Sequence, residues 1–187
     1  MNEQARAAQR RSRLLLVGLA ALFFGPLLLS WGYRQLGLDW YPAPRLSGVL
    51  IQPPIAVPLD TVAAIPAGRW KLVVAGPCDE ACWKTLVDLR QIGRSLPRYQ
   101  EALARLYVHP PGQGLSAERL EEQPGMVQFE DQNGSLLAAL SDAAPPSDTA
   151  FVLVDPRNFA MLRFRKDYDP RAARKDIDHL LRRFVAN

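Results

Sequence analysis

Cysteine and histidine are both scarce in this chain, with two of each among 187 residues. So few sulfur and imidazole groups exclude the paired Cys and His clusters of a structural zinc site. The two cysteines are also too few and too close together for the scattered disulfide framework of a small secreted domain. The sequence lacks a P-loop, the Ser-His-Asp order of a hydrolase, internal repeats and low-complexity segments. These absences remove most hydrolase and nucleotide-binding functions.

A strong excess of one charge is also lacking, because 23 Lys and Arg residues face 19 Asp and Glu residues, for a formal net charge of +4. Basic residues gather at the two ends of the chain, and those at the C-terminal end alternate with aspartates as on a solvated helix face. This distribution does not favour nucleic-acid binding. The length allows a targeting segment and one compact domain.

One long uncharged run extends from Leu14 to Trp31. Extended to Tyr33, it reaches about the twenty residues that a helix needs to cross the hydrocarbon core of a membrane. We therefore expect a transmembrane helix over residues 14–33. A cleaved secretory signal is the alternative, but the run is longer than the usual apolar region of a signal and no clean A-x-A cleavage site follows it.

The flanks of this run predict its orientation. Arginines precede it and aromatic residues follow it, as the positive-inside rule and the aromatic belt at the far interface require. Residues 1–13 are then a basic cytoplasmic N-terminus and the C-terminal domain lies outside. In a bacterium the protein is predicted to be a single-pass inner-membrane protein with a periplasmic domain, in a compartment that oxidises exposed thiols.

The remaining chain divides by composition into a linker and a domain. Residues 34–56 are rich in proline and predict a stalk with short β-prone pieces, among them Gly48–Gln52, followed by an N-terminal strand or hairpin. Residues 57–187 predict the folded domain. The apolar run Trp70–Ala75 predicts a buried central strand that ends at Gly76-Pro77, and apolar residues at helical spacing follow Cys78. Strand, tight turn and helix is therefore the expected order around Cys78.

Later patterns complete an α/β fold. We predict a second strand over Ala104–His109, a short helix capped by Ser116, a short strand over Met126–Phe129 and a hairpin over residues 150–164. A final helix then begins near Asp169 or Pro170 and has an apolar face. The residues of that face are Ile177, Leu180, Leu181 and Phe184. The order βαβα followed by ββα is the thioredoxin-like arrangement, a central mixed sheet flanked by helices.

The two cysteines, Cys78 and Cys82, are spaced at i and i+4, so a helix that begins near Cys78 places both sulfurs on one face. A helix N-terminus stabilises a thiolate, which makes it a nucleophile and a soft metal ligand, whereas Asp79 and Glu80 oppose it by charge repulsion. Cys78, at the mouth of the turn, is the better candidate for attack and Cys82 for resolution. A purely stabilising disulfide or two buried thiols is the alternative.

The segments around this pair resemble the Sco/SenC family of membrane-anchored thioredoxin-like proteins. The similarity rests on Trp70-Lys-Leu-Val-Val leading into Gly76-Pro77-Cys78-x-x-x-Cys82, and on Phe151-Val-Leu-Val-Asp155-Pro156. The resemblance implies a role in loading copper into cytochrome c oxidase. One departure is that the position of the family's copper-binding histidine, nine residues before Pro156, is Ser147 here, and serine does not replace an imidazole.

The two histidines of this chain lie elsewhere. His109 ends the second predicted strand at the same sheet edge as Cys78, so it is a candidate third metal ligand, although an ordinary loop histidine is the favoured interpretation. His179 falls on the final helix, where a surface position is expected. Pro146 precedes the hairpin roughly where thioredoxin-like folds place a cis-proline, and a plain loop is equally consistent with the sequence.

Three functions remain open at this stage. The first is an assembly factor for cytochrome c oxidase that reduces the disulfide of a copper site in an oxidase subunit or another copper-site protein, with Cys78 and Cys82 as catalytic residues. The second is a metallochaperone that holds Cu(I) between the same two sulfurs, with His109 as a possible addition. The third is a non-catalytic assembly scaffold in which the thiols are incidental.

Overall fold

The protein is described by a computed structural model over residues 3–35 and 46–185, and it divides into two compact units, Met1–Arg45 and Leu46–Asn187. The described part of the first unit is one helix, α1 (Glu3–Gln35), which contains Pro26. Its described apolar side chains are exposed, and Leu22 and Phe23 each expose 73% of their surface. Within the residues described, no helix combines the length and the apolar character of a membrane span.

The second unit is built on a six-stranded mixed sheet with the strand order β1-β6-β5-β2-β3-β4. The strands are β1 (Val49–Ala56), β2 (Trp70–Ala75), β3 (Leu103–His109), β4 (Met126–Glu130), β5 (Thr149–Val154) and β6 (Phe159–Arg165). Strands β2, β3 and β4 pair in parallel, and every other neighbouring pair is antiparallel. β2 and β3 therefore end at the same edge of the sheet.

Helices cover both faces of this sheet, because alternate residues of a strand point to opposite sides. The helices are α2 (Glu80–Arg94), α3 (Ala117–Glu121), α4 (Ser135–Ala143) and α5 (Pro170–Val185). Leu72 and Val74 of β2 pack in the core layer that holds α2 and α5, whereas Val73 packs in the layer that holds α4. The result is a three-layer α/β arrangement.

The thioredoxin-like fold class predicted from the sequence is confirmed, and the predicted strands over β2 to β6 are all present. In the last helix, Ile177 and Leu181 are fully buried as their spacing predicted, and Leu180 is partly buried against the same layer. The side chain of Phe184 lies outside the described residues.

The predicted boundary of the domain at residue 57 is wrong. Strand β1 falls inside the predicted stalk of residues 34–56, yet it pairs with β6, and the compact unit begins at Leu46. Pro53 and Pro54 caused the error, since proline lacks the N–H that a central strand needs. An edge strand tolerates them, and the pairing of β1 is irregular between Leu50 and Ile55. Stalk residues 36–45 lie outside the described part of the chain.

Helix α4 was not predicted at all. It has nine residues and begins after Gly134, whose φ of 68° is left-handed and which offers no capping side chain. A short helix without a side-chain cap gives little local signal. Its buried residues Leu136 and Leu140 are spaced at i and i+4, and this pair was the available clue.

Candidate active site at the first strand-to-helix turn

The turn between β2 and α2 is held by backbone and tyrosine hydrogen bonds. Gly76 has a φ of +106°, a conformation that glycine adopts without strain. Its N–H donates to the Val108 carbonyl at 2.9 Å, and its own carbonyl accepts from the Tyr107 hydroxyl at 3.0 Å. Tyr107 is fully buried, so the turn that leads to Pro77 and Cys78 is anchored to β3.

Helix α2 begins directly after the first cysteine, as the sequence predicted. Asp79 is the N-cap residue, and its Oδ1 accepts a hydrogen bond from the backbone N–H of Cys82 at 2.8 Å. Capping of this kind satisfies a helix N–H that has no intrahelical partner. Cys78 therefore precedes the helix, and Cys82 lies in its first turn.

The two predicted site cysteines form a disulfide. The Sγ atoms of Cys78 and Cys82 are 2.01 Å apart, and their Cα atoms are separated by 5.0 Å. Both residues are half-buried and pack against the core layer of α2 and α5. The structure thus brings the two sulfurs together at a partly exposed position, which is the geometry that thiol–disulfide exchange requires.

Open space lies beside the disulfide. A cavity of about 240 Å³ is lined by Cys82, Asp79, Pro146 and Lys166, among other residues. A more apolar cavity of about 220 Å³ shares the Pro146 loop and the Gly76-Pro77 turn with the first cavity. Among the described residues the cis peptide bond is Gln52–Pro53, so the bond that precedes Pro146 is trans.

The two acidic residues beside the cysteines have separate partners. The Glu80 carboxylate forms an ion pair with Arg119 of α3 at 2.8 Å, and the Arg119 guanidinium lies 5.0 Å from the centroid of the Trp83 ring. The Asp79 carboxylate is engaged as the helix cap. Arg119 was missed by sequence analysis because it lies 39 residues from Glu80, and no local pattern connects the two.

His109 ends β3, as the sequence predicted, but its side chain is buried rather than in an open loop. Its Nδ1–H donates to the Pro110 carbonyl at 2.8 Å, and its ring stacks on Tyr107 with centroids 5.3 Å apart. Ser147 and His179 are exposed. Within the described part of the chain, no three His, Cys, Asp or Glu residues form a group that could hold a metal ion.

A mixed sheet between helices, with a cysteine pair bonded at the first strand-to-helix turn, defines a thioredoxin-like protein. Residues 70–183 match the family model described as "Transmembrane-like, thioredoxin-like, C-terminal domain". The chain belongs to this family. No curated protein shows significant sequence similarity to it.

Solved structures similar to this chain include proteins of the family that the sequence resembles. Yeast Sco1 with copper bound is 17% identical, with a TM-score of 0.49 over 64% of this chain and 79% of that chain. Bradyrhizobium japonicum ScoI with copper bound is 14% identical, with a TM-score of 0.48 over 71% and 98%. The thioredoxin domain of a Bacteroides vulgatus thiol-disulfide oxidoreductase is 14% identical, with a TM-score of 0.44 over 61% and 80%. Similarity at this level assigns no function to this chain.

Proposed function

We propose that the protein is a membrane-tethered thiol–disulfide reductant that reduces the cysteines of a copper site in cytochrome c oxidase or in another copper protein. The observation that carries the proposal is the Cys78–Cys82 disulfide at a half-buried turn. Two sulfurs that bond to each other there can also exchange with a disulfide of a second protein. The choice of a copper-site partner rests on the Sco/SenC-like sequence around Cys78 and Asp155.

The proposed reaction is a balanced exchange of two electrons. The Cys78 thiolate attacks one sulfur of the partner disulfide, which forms a mixed disulfide and releases one partner thiolate. The Cys82 thiolate then attacks the Cys78 sulfur, which releases the second partner thiolate and forms the disulfide seen in the structure. A dithiol protein outside the membrane must return the pair to the reduced state.

The assignment of attack to Cys78 rests on its place ahead of the helix. Cys78 lies before the N-cap residue Asp79, where the positive end of the helix dipole stabilises a thiolate. Cys82 lies inside the first turn, and its backbone N–H is already bonded to Asp79. This arrangement suits Cys82 to the second, resolving step.

The proposed tether is the segment of residues 14–33 within α1. No charged residue lies between Leu14 and Trp31, and the described apolar side chains of α1 are exposed to their surroundings. A lipid environment would cover that apolar surface. With arginines on the N-terminal side, we place the N-terminus in the cytoplasm and the domain in the periplasm of a bacterium.

A trapping experiment tests the exchange reaction. The reduced full chain in detergent micelles is mixed with a disulfide-bonded peptide that carries the two copper-site cysteines of an oxidase subunit. We expect stoichiometric reduction of the peptide by the wild-type chain, a trapped mixed disulfide with Cys82→Ser, and no reaction with Cys78→Ser. Non-reducing mass spectrometry measures all three species. A wild-type chain that leaves the peptide oxidised would refute the proposal.

A second candidate function is delivery of Cu(I) as cargo. The pairing of the two sulfurs at one turn supports this function, since two neighbouring thiolates, once reduced, are ligands that suit Cu(I). This function is favoured if the reduced chain retains one Cu(I) through dialysis and does not reduce the peptide. A scaffold role is favoured if cells that carry Cys78→Ser and Cys82→Ser together assemble active oxidase.

A further inference from the structure

A cavity lined by three arginines lies at the end of the sheet opposite the disulfide. Its volume is about 250 Å³, and its walls include Arg90 and Arg94 of α2 and Arg105 of β3. These residues lie near the C-terminal end of α2 and the start of β3, whereas Cys78 follows the C-terminal end of β2. This arginine cavity is therefore separate from the redox turn.

The positive charge of the arginine cavity is not neutralised by carboxylates. No Asp or Glu is among its lining residues, and none of the ion pairs within the described residues involves the three arginines. Burial lowers the pKa of Arg105, and the charges of Arg90 and Arg94 lower it further. The nearby C-terminus of α2 contributes only about half a negative charge. Most of the positive charge therefore remains uncompensated.

Two buried N–H donors at this end of the domain have no acceptor among the described residues. They are Nε of Arg90 and Nε2 of Gln123. Gln123 is 1% exposed, and its Oε1 accepts from Arg105 Nη1 at 3.0 Å. A guanidinium only donates, so the amide must keep its oxygen toward Arg105 and its NH₂ away from it. A buried donor in this state has lost its hydrogen bonds to water without replacing them, which is unfavourable.

Two of the three arginines, Arg90 and Arg105, are also fixed in position. Arg90 donates to the Glu122 carbonyl, and Arg105 donates to the Pro124 carbonyl. Both acceptors lie in the segment between α3 and β4, so two of the guanidinium groups are held by backbone rather than moving freely in solvent. Charged groups held in place lose less conformational entropy when a ligand binds than free side chains do.

We infer that the arginine cavity binds a small multivalent oxyanion through a phosphate or carboxylate group. Guanidinium groups match such oxygens with paired hydrogen bonds, and an anion would offset the unbalanced charge. The volume lies below the roughly 300–1,000 Å³ typical of pockets for drug-sized ligands, so the ligand is expected to be small. This binding site does not depend on the proposed redox function.

Two variants separate a real site from general surface charge. Arg94 is exposed, so Arg94→Gln removes one charge from the cavity wall with little effect on folding, and Arg98→Gln removes an exposed arginine outside the lining. Gly93 lines the cavity, and a Cβ added there would meet only Arg105 Cδ at 4.0 Å. Gly93→Leu therefore keeps all three charges but fills space inside the cavity.

Isothermal titration of the full chain in neutral detergent micelles provides the test, with inorganic phosphate, pyrophosphate and citrate as probes at constant ionic strength. We expect saturable binding of one anion per chain, weakened about tenfold by Arg94→Gln and by Gly93→Leu and unchanged by Arg98→Gln. Circular dichroism confirms that each variant is folded. The inference is overturned if none of the three anions binds saturably, or if both cavity variants bind as the wild type does.

A further arm of the titration identifies the source of the anion. The full chain is placed in nanodiscs of phosphatidylcholine or of phosphatidylglycerol, and the pyrophosphate titration is repeated. Unchanged affinity in both discs supports a soluble anion as the ligand. Weaker pyrophosphate binding in phosphatidylglycerol than in phosphatidylcholine, with a difference between the two discs that becomes smaller in Arg94→Gln, supports a lipid headgroup phosphate in the same cavity.

Discussion

Asp79 has two opposing effects at the residue scale, because one carboxylate both caps α2 and places a negative charge beside Cys78. The cap bond to Cys82 N–H is 2.8 Å long. Glu80, in contrast, is neutralised by Arg119. Asp79, unlike Glu80, has no basic partner among the described ion pairs. Its charge therefore opposes formation of the Cys78 thiolate more directly.

Replacing Asp79 with asparagine should increase the reactivity of reduced Cys78. Asparagine caps a helix as well as aspartate does, so the fold is retained while the charge is lost. A unit charge a few ångströms from the sulfur in a solvated site disfavours the thiolate by about 1 kcal/mol, so removing the charge increases the thiolate fraction. The less basic thiolate is also somewhat less nucleophilic, which offsets part of the gain. We expect alkylation by iodoacetamide at neutral pH to be about twofold faster. Equal rates in Asp79→Asn and wild type would show that the charge does not act on Cys78.

Tyr107 provides a second prediction at this scale, since its hydroxyl donates to the carbonyls of Gly76 and Gln113. Tyr107→Phe leaves both acceptors without this donor and should lower the free energy of unfolding by about 1–2 kcal/mol. Chemical denaturation of the full chain in micelles measures this change. A variant as stable as the wild type would mean that the hydroxyl does not anchor the turn.

The same tyrosine predicts a dependence on alkaline pH. Burial raises the pKa of Tyr107 to about 12, above the ordinary value of 10. The unfolded chain therefore loses this proton first, and the stability due to Tyr107 is complete below pH 10 and declines as the pH rises from 10 to 12. Comparison of wild type and Tyr107→Phe across this range isolates the effect, because other titrating groups are common to both.

At the scale of single residues, the cysteine pair could be predicted because its spacing and its place after a buried strand are local features. The ion pair of Glu80 with Arg119 and the hydroxyl bond of Tyr107 to Gly76 could not. Each joins residues more than thirty positions apart, and only the folded sheet brings them together.

At the scale of elements, β1 is fixed where the chain enters the domain. The carboxylate of Asp176 in α5 accepts from the backbone N–H of Ser47 at 2.5 Å and from that of Gly48 at 3.0 Å. A Cβ at Gly48 would lie 2.5 Å from Leu162 Cδ2 and 3.0 Å from the Phe164 ring. The entry segment thus packs too closely on β6 to accept a side chain.

Gly48→Ala should therefore destabilise the domain by about 1–3 kcal/mol, because the added methyl group forces β6 side chains from their positions. Gly93→Ala is the matched control, since its Cβ meets only one atom at 4.0 Å and alanine favours a helix by up to about 1 kcal/mol. Thermal unfolding of both variants measures the contrast. A Gly48→Ala chain as stable as the wild type would show that the entry segment can move aside.

The strongly patterned elements β2, β5, β6 and α5 could be predicted from the sequence. β2 and β5 are continuous apolar runs typical of strands buried on both faces, whereas β6 and α5 each bury an apolar face of regular period. β1 was predicted only in part, as a β-prone piece over Gly48–Gln52 inside a stalk, and α4 was not predicted, for different reasons. The prolines of β1 weaken its strand pattern in the sequence, because proline is rare in central strands. An edge strand tolerates them because it makes hydrogen bonds on only one side. The short α4 is stabilised by burial of Leu136 and Leu140 against the sheet, and tertiary burial leaves little local signal.

At the scale of the whole molecule, the proposed tether leads to a separate prediction. If residues 14–33 span a membrane, the full chain should remain in the membrane fraction after an alkaline carbonate wash, because the wash removes proteins held only by charge. Protease added to intact spheroplasts should then remove the domain that contains Cys78 and leave a protected N-terminal fragment. Release by carbonate would contradict the anchor but leave the thiol chemistry untouched.

The two prolines of β1 have a consequence for how copies of this protein meet. The sheet has two outer strands, β1 and β4, and an outer strand invites a strand of another chain to add to it. Pro53 and Pro54 provide no N–H groups for such an addition, so the β1 side resists oligomerisation by strand extension. Among the described strands, β4 (Met126–Glu130) is then the edge at which copies of the domain would join their sheets, and that side is where self-association or β-augmentation by a client should be sought.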